Sequence, residues 1–313
     1  MESTVEVIVS QAWEAPLQLL HKQFHETAND RCLLWVNPAQ GDPFSSHAIV
    51  QQRKIVVPIA HPRFDQQFAP YLIELALDEY AGAELFKMSV ELAWNSWTKD
   101  SLWAGNGQAI AGWVVSDEAP ENIARHWASH CHIHSVQGLE KLLRFHDPGV
   151  REWLWPAMTV EQQRQMLGPV SSVIAFDRQQ NLMRHGLDDT HALFPHAALE
   201  QRLILSSSQW AQVNDYSTLH AAWLTWGESG PKQWEQAIFS ALARATHYGI
   251  VDKKDRELFA LHVLQLGSDF HDDQRLQAVW SMTGAGEFYG GALEEVTGCP
   301  ADQLQDYFSK KIR

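Results

Sequence analysis

The hydrophobic pattern changes character once along the chain. Up to about residue 178, short β-type apolar runs alternate with stretches of helical spacing; beyond about residue 200 the spacing is helical throughout. In the first part, Val5–Val9 and Cys32–Val36 read as strands, with helical material near Ala15–Glu26 between them. Ile55–Ile59 is a further short apolar run, and Gln108–Val115 has the continuous apolar character of a buried strand. Leu85, Met88, Leu92 and Trp97 recur at helical spacing and predict a helix over Ala83–Trp97. Asp117 and Pro120 are suited to open a helix that runs to about Ser129. Cys131–Val136 and Leu139–Phe145 flank Gln137-Gly138 as the two arms of a hairpin. Asp147-Pro148 can stop that arm and cap a helix over Gly149–Trp155. Thr159 and Gln162 form a capping box for a helix that ends at Gly168-Pro169, and Val170–Phe176 is a last strand.

The second part reads as a helical bundle. Leu219, Trp223 and Trp226 share one face, and Gly230-Pro231 breaks the chain before a helix with Trp234, Ile238, Leu242 and Ala245 on one stripe. Gly249 ends that helix, and Asp252 caps the next, which carries Leu258, Leu261 and Leu264 and stops at Gly267. Leu276, Val279 and Trp280 mark another. Pro300 opens the last, with Leu304, Tyr307 and Phe308 facing inward and Lys310, Lys311 and Arg313 at the favourable end of its dipole. The expected fold is therefore an α/β domain with a mixed sheet over residues 1–178, a linker over 179–199, and an all-α helical domain over 200–313.

Composition narrows the function. The net charge is −14, with 14 basic against 23 acidic residues in 1–199 and 10 against 15 in 200–313. Neither part offers a basic face for a phosphate backbone, so nucleic-acid binding is not expected. No apolar run reaches the roughly 20 residues of a membrane-spanning helix. Met1–Ser10 contains Glu2 and Glu6 and no basic stretch, which argues against a secretory leader. Cys32, Cys131 and Cys299 are odd in number and scattered, which fits a reducing compartment; a cytoplasmic location is expected.

Candidate chemistry is sparse. His132 and His134 would share one face of a strand, and His130 and Asp147 could join them in a metal-dependent hydrolase. A third ligand at diagnostic spacing is missing, so no metal is expected. Gly105-Asn106-Gly107 lacks the lysine of a phosphate loop, and there is neither a G-x-S-x-G elbow nor an H-E-x-x-H helix. Asp188-Asp189 and Asp272-Asp273 are adjacent and do not face one another on a helix. The pattern predicts no catalytic residue and no cofactor.

One stretch carries a resemblance. Gly107–Ser116 is an apolar strand ending in serine, followed by a helix, a hairpin, Arg144-Phe145-His146-Asp147-Pro148, and then Leu167-Gly168-Pro169-Val170. Their order and spacing resemble the DUF4123 family, the effector adaptors or chaperones of type VI secretion systems, over about residues 30–178. The chain departs from the family pattern in two places: His146 stands where an aromatic is common, and Cys32–Val36 runs into Asn37-Pro38-Ala39 rather than an Asp-Gly turn. The resemblance implies a protein that binds a cognate toxic effector, by its N-terminal or membrane-insertion region, and helps load it onto the spike protein. The motif residues Arg144, Phe145, Asp147, Pro148, Gly168 and Pro169 also have structural roles to fill: a cap, an ion pair with Arg144, and a helix end. Trp94, Trp97 and Trp103, around the polar Thr98-Lys99-Asp100, are the candidate partner contacts, since tryptophan anchors interfaces. An immunity protein that neutralises a toxin is the competing binding function.

Overall fold

A computed structural model describes residues 12–26, 31–61, 64–134, 140–187, 203–226 and 234–309. The expected strand Val5–Val9, the turn Gln137-Gly138, the break Gly230-Pro231 and the basic tail from Lys310 lie outside these residues. The chain divides into two compact units, Met1–Gln209 and Trp210–Arg313.

In the first unit, helix α1 (Glu14–Glu26) leads into strand β1 (Arg31–Val36). There follow α2 (Ala48–Arg53), β2 (Ile55–Val56), β3 (Tyr71–Glu74), α3 (Tyr80–Ser96), α4 (Lys99–Trp103), β4 (Ile110–Ser116) and α5 (Pro120–Cys131). A small hairpin of β5 (His132–His134) and β6 (Glu140–Leu142) precedes α6 (Pro148–Leu154), α7 (Val160–Leu167), β7 (Ser172–Phe176) and β8 (Leu182–Gly186). The main sheet has the order β2-β3-β1-β4-β7-β8 with every pairing antiparallel. β1, β4 and β7 are almost wholly buried, as central strands covered on both faces must be.

Trp113 of β4 faces α3, where its ring meets Phe86 edge-on and its Nε1 donates to the Ser89 hydroxyl at 2.9 Å. Trp35 of β1 points to the opposite face and stacks on Trp127 of α5, with ring centres 4.0 Å apart. α3 turns differently from the expected stripe: Leu85, Phe86, Ser89, Val90 and Ala93 are buried, whereas Met88 is exposed. Ser89 can take an interior place because its hydroxyl is satisfied twice, donating to the Phe86 carbonyl and accepting from Trp113.

The sheet contains two strands beyond the expected ones, β3 inside it and β8 at one edge. β3 follows Pro70 and is only four residues long, too short for alternation to declare it. β8 lies inside the expected linker 179–199, pairing Phe176↔Leu182 through Ser172↔Gly186; its sequence Leu-Met-Arg-His-Gly has no apolar alternation. Residues 188–199 of that linker lie outside the described residues. α5 runs two residues past the expected end, so His130 and Cys131 are helical and only His132 and His134 are on the short strand.

The second unit is helical. α8 (Ser207–Trp226) begins just before the division between the units, and α9 (Trp234–His247), α10 (Lys253–Leu266), α11 (Gln277–Gly284), α12 (Tyr289–Thr297) and α13 (Leu304–Ser309) follow. Ile238, Leu242 and Ala245 of α9, and Leu276, Val279 and Trp280 around α11, are buried as the spacing predicts. Asp252 caps α10 through Lys254 N and Asp255 N, and Gly267 ends it at φ 99°. α10 buries Phe259, His262 and Val263 more deeply than Leu258 and Leu261. The interior His262 is held by both nitrogens: Nδ1 lies 2.8 Å from the Tyr289 hydroxyl and Nε2 2.8 Å from the Ala301 carbonyl. Asp255 reaches from α10 to accept from Tyr289 N and Gly290 N, supplying the cap that α12 lacks locally. Tyr307 and Phe308 are half-buried beneath the Arg275 guanidinium.

Candidate functional site

The Arg-Phe-His-Asp-Pro stretch forms the turn between β6 and α6, against the Trp35 face of the sheet. Asp147 is the N-cap of α6, with Oδ1 accepting from Gly149 N at 3.1 Å and Val150 N at 3.4 Å, and Pro148 occupies the first turn where no N–H is needed. Phe145, His146 and Asp147 are all buried. Arg144 is exposed. Its charge acts on Asp147 through space, but the guanidinium buried behind the turn belongs to Arg151, one helical turn along α6.

Arg151 has no exposed surface. It donates through one terminal nitrogen to the Phe145 carbonyl at 3.1 Å and through the other to the Ala111 carbonyl, and it lies over the rings of Trp35 and Phe145 at 5.4 and 5.6 Å. The register between β1 and β4 explains why Ala111 has an oxygen to offer. Trp35 pairs with Gly112 and Val36 with Ile110, so Ala111 is the extra residue of a bulge, outside the ladder. Gly112 beside it sits at φ 138°, and a methyl group there would run into the Ile174 carbonyl of β7. The bulge, its glycine and the arginine form one device.

Electrostatics follow from burial. Desolvation lowers the Arg151 pKa to about 9, opposed by the nearby Asp147 carboxyl, so the guanidinium stays charged at neutral pH. Burial raises the Asp147 pKa, opposed by the Arg144 and Arg151 charges and the two backbone donors. His146 and His185 flank the cation and are pushed down to about 3, by burial first and arginine charge second. Such groups stay neutral at any ordinary pH and are poorly matched to proton transfer near neutrality.

The second motif segment is equally interior in its role. Thr159 and Gln162 make the expected capping box at the start of α7, and Gly168 ends that helix at φ 61°. The Gly168 α-carbon leaves room only for the His126 ring, which reaches the Gln165 carbonyl at 2.8 Å. Trp127 Nε1 donates to Met166 O, and the Ser116 hydroxyl donates to Pro169 O at 2.8 Å. The serine that ends the apolar strand and the Gly-Pro turn are therefore bonded to one another. Phe145, Asp147, Pro148, Gly168 and Pro169 assemble around one buried scaffold, with Trp35, Trp127 and Arg151 as the members that sequence spacing passed over, while Arg144 stays exposed.

The three tryptophans separate. Trp97 is core. Trp94 is half-buried, its ring edge-on to Phe176 at 5.5 Å. Trp103, at the end of α4, is 62 % exposed. Its place as a candidate contact stands on that exposure, whereas Trp97 is withdrawn because it completes the buried face of α3. Among the described residues, no group of three or more His, Cys, Asp or Glu could hold a metal ion, and no helix is long and apolar enough to cross a membrane.

Asp147→Ala is expected to lower stability by about 1–2 kcal/mol through the lost cap. Asp147→Asn keeps an acceptor for both N–H groups and should lose less. Thermal melts of the two variants check this; equal losses would assign the effect to the charge beside Arg151 rather than to the cap.

No curated protein and no solved structure matches the chain. Residues 63–165, which hold β3 and everything from there to most of α7 and include the Arg-Phe-His-Asp-Pro turn and Arg151, match the model of the family described as Domain of unknown function (DUF4123).

Proposed function

We propose that the protein is a cytoplasmic adaptor or chaperone for a type VI secretion effector, binding its cognate toxin and helping to load it onto the spike protein. The observation that carries this reading is the family match over residues 63–165, together with the two motif segments that resemble effector adaptors. The burial of Phe145, Asp147 and Pro148 supports it indirectly. The buried motif residues build the scaffold, so recognition of a particular effector is left to surface residues. The job needs binding alone: a partner that covers an exposed apolar segment of the toxin keeps it soluble until export.

Trp103 is the leading contact, being large, aromatic and mostly exposed on a short helix. Co-expression with a candidate toxin, taken from a gene neighbouring this one, should raise toxin solubility and yield a complex on purification. Trp103→Ala should weaken that complex by about 2 kcal/mol, roughly thirtyfold in Kd, with unchanged melting. Deleting the gene should abolish secretion of the cognate toxin and spare an unrelated cargo. Loss of all secretion would instead mark a core component of the apparatus. Self-intoxication with secretion intact would mark an immunity protein.

A further inference from the structure

The exposed side of α1 carries His21 and His25, one turn apart, where side chains at i and i+4 are neighbours. Their Nε2 atoms lie 3.3 Å apart and their ring centres 4.3 Å apart. Both rings are exposed. The helix beneath them is fixed: Phe24, between the two histidines in sequence, is buried with its ring edge-on to Phe86 of α3 at 5.8 Å, and the His21 ring lies 6.5 Å from the same Phe86 ring. The pair is thus presented on a packed element rather than on a loop.

As a hydrogen bond, this contact has one ring donating and the other accepting, with the roles set by the tautomers. The spacing also suits a metal ion. With metal–nitrogen bonds of about 2.0–2.1 Å, two imidazoles at a tetrahedral angle place their nitrogens about 3.3–3.4 Å apart. Replacing the bridging proton by a cation lets both lone pairs bind.

We propose that His21 and His25 form a two-nitrogen chelate for a divalent transition-metal ion of the imidazole-preferring class, with water completing the coordination. The ligand set is two neutral nitrogens, so intrinsic affinity follows Cu(II) above Ni(II) and Zn(II); the tetrahedral spacing matches Zn(II) as it stands, and a cis pair on tetragonal Cu(II) needs the exposed rings to close to about 2.8–2.9 Å. Because the chelate exists only when α1 is helical, metal stabilises the folded state of this helix. The site is independent of the proposed partner binding, and it differs from the His132 and His134 arrangement weighed from sequence: the chelating pair is on a helix at i and i+4.

The test uses the full chain without a polyhistidine tag, titrated with CuCl2 in a weakly coordinating buffer and followed by calorimetry and electron paramagnetic resonance. One copper per chain should bind most tightly, with hyperfine structure from two equivalent nitrogens. His21→Ala and His25→Ala should each weaken that site at least about tenfold, since even outer partners of metal ligands matter by 10–100-fold. Both variants should fold normally without metal, because the rings are exposed. ZnCl2 should raise the melting temperature of the wild type more than that of either variant. The proposal is overturned if the tightest copper site is unchanged in both variants, or if the wild type binds no copper above the level of the double variant.

Discussion

Arg151→Ala is expected to destabilise the first unit by about 3–5 kcal/mol, the usual loss when one member of a buried charged arrangement is removed. That is a large share of the roughly 5–15 kcal/mol that holds a domain folded. Three losses coincide. The Phe145 and Ala111 carbonyls lose their donor, the Trp35 and Phe145 rings lose the group packed on them, and Asp147 loses a compensating cation. Ala111 has no substitute within the ladder, because the bulge has already taken it out of register. Arg151→Met leaves the same two carbonyls unsatisfied and Asp147 without its cation, but keeps a long side chain packed on the Trp35 and Phe145 rings, so its loss should be the smaller. The order of melting temperatures should therefore be wild type, then Met, then Ala. An alanine variant that melts with the wild type would show that the guanidinium contributes nothing net.

What could be read from sequence divides along a physical line. Local signals were legible. The capping box at Thr159 and Gln162, the caps at Asp147 and Asp252, and the helix ends at Gly168 and Gly267 each depend on a few consecutive residues, and all are present. So were the broad architecture and the stripe of α9. Features made by distant partners were hidden. An arginine on a short helix reads as a surface residue, and only the bulge forty positions earlier makes Arg151 interior. Ser89 and His262 are polar residues whose burial no local signal announces; Trp113, Tyr289 and Ala301 satisfy them. Trp94, Trp97 and Trp103 looked equivalent until the turn after α3 sent one inward and one to solvent. The converse case is His21 and His25, whose i, i+4 spacing on an expected helix was visible in the sequence and needed only the helical period to be noticed.

Acidification is expected to destabilise both units well before carboxylates titrate, through histidines kept neutral by burial. His146 and His185 in the first unit are lowered to about 3, and His262 in the second to about 4; burial is the largest cause in each case. In the unfolded chain each returns to about 6.5. Between those values the unfolded state binds the extra protons, so stability is full above about pH 6.5 and falls as pH drops towards the folded values. By pH 5 each fully buried histidine removes roughly 2 kcal/mol, at about 1.4 kcal/mol per pH unit below 6.5. Asp147 works against this in the first unit. Its folded pKa is raised, so from the unfolded carboxylate value upward the folded state is the one that holds the proton, and acid favours it. At His262 burial is opposed by the hydrogen bond to the Ala301 carbonyl and by the nearby Asp302 charge, both of which raise the histidine's pKa. Melting curves followed by tryptophan fluorescence from pH 7.5 to 5.0 should show a steady fall in melting temperature. His262→Gln, which offers an amide to Tyr289 and Ala301 but no basic nitrogen, should start lower and flatten the dependence of the second unit. A wild-type melting temperature constant from pH 7.5 to 5.0 would mean that these histidines meet water in the folded state.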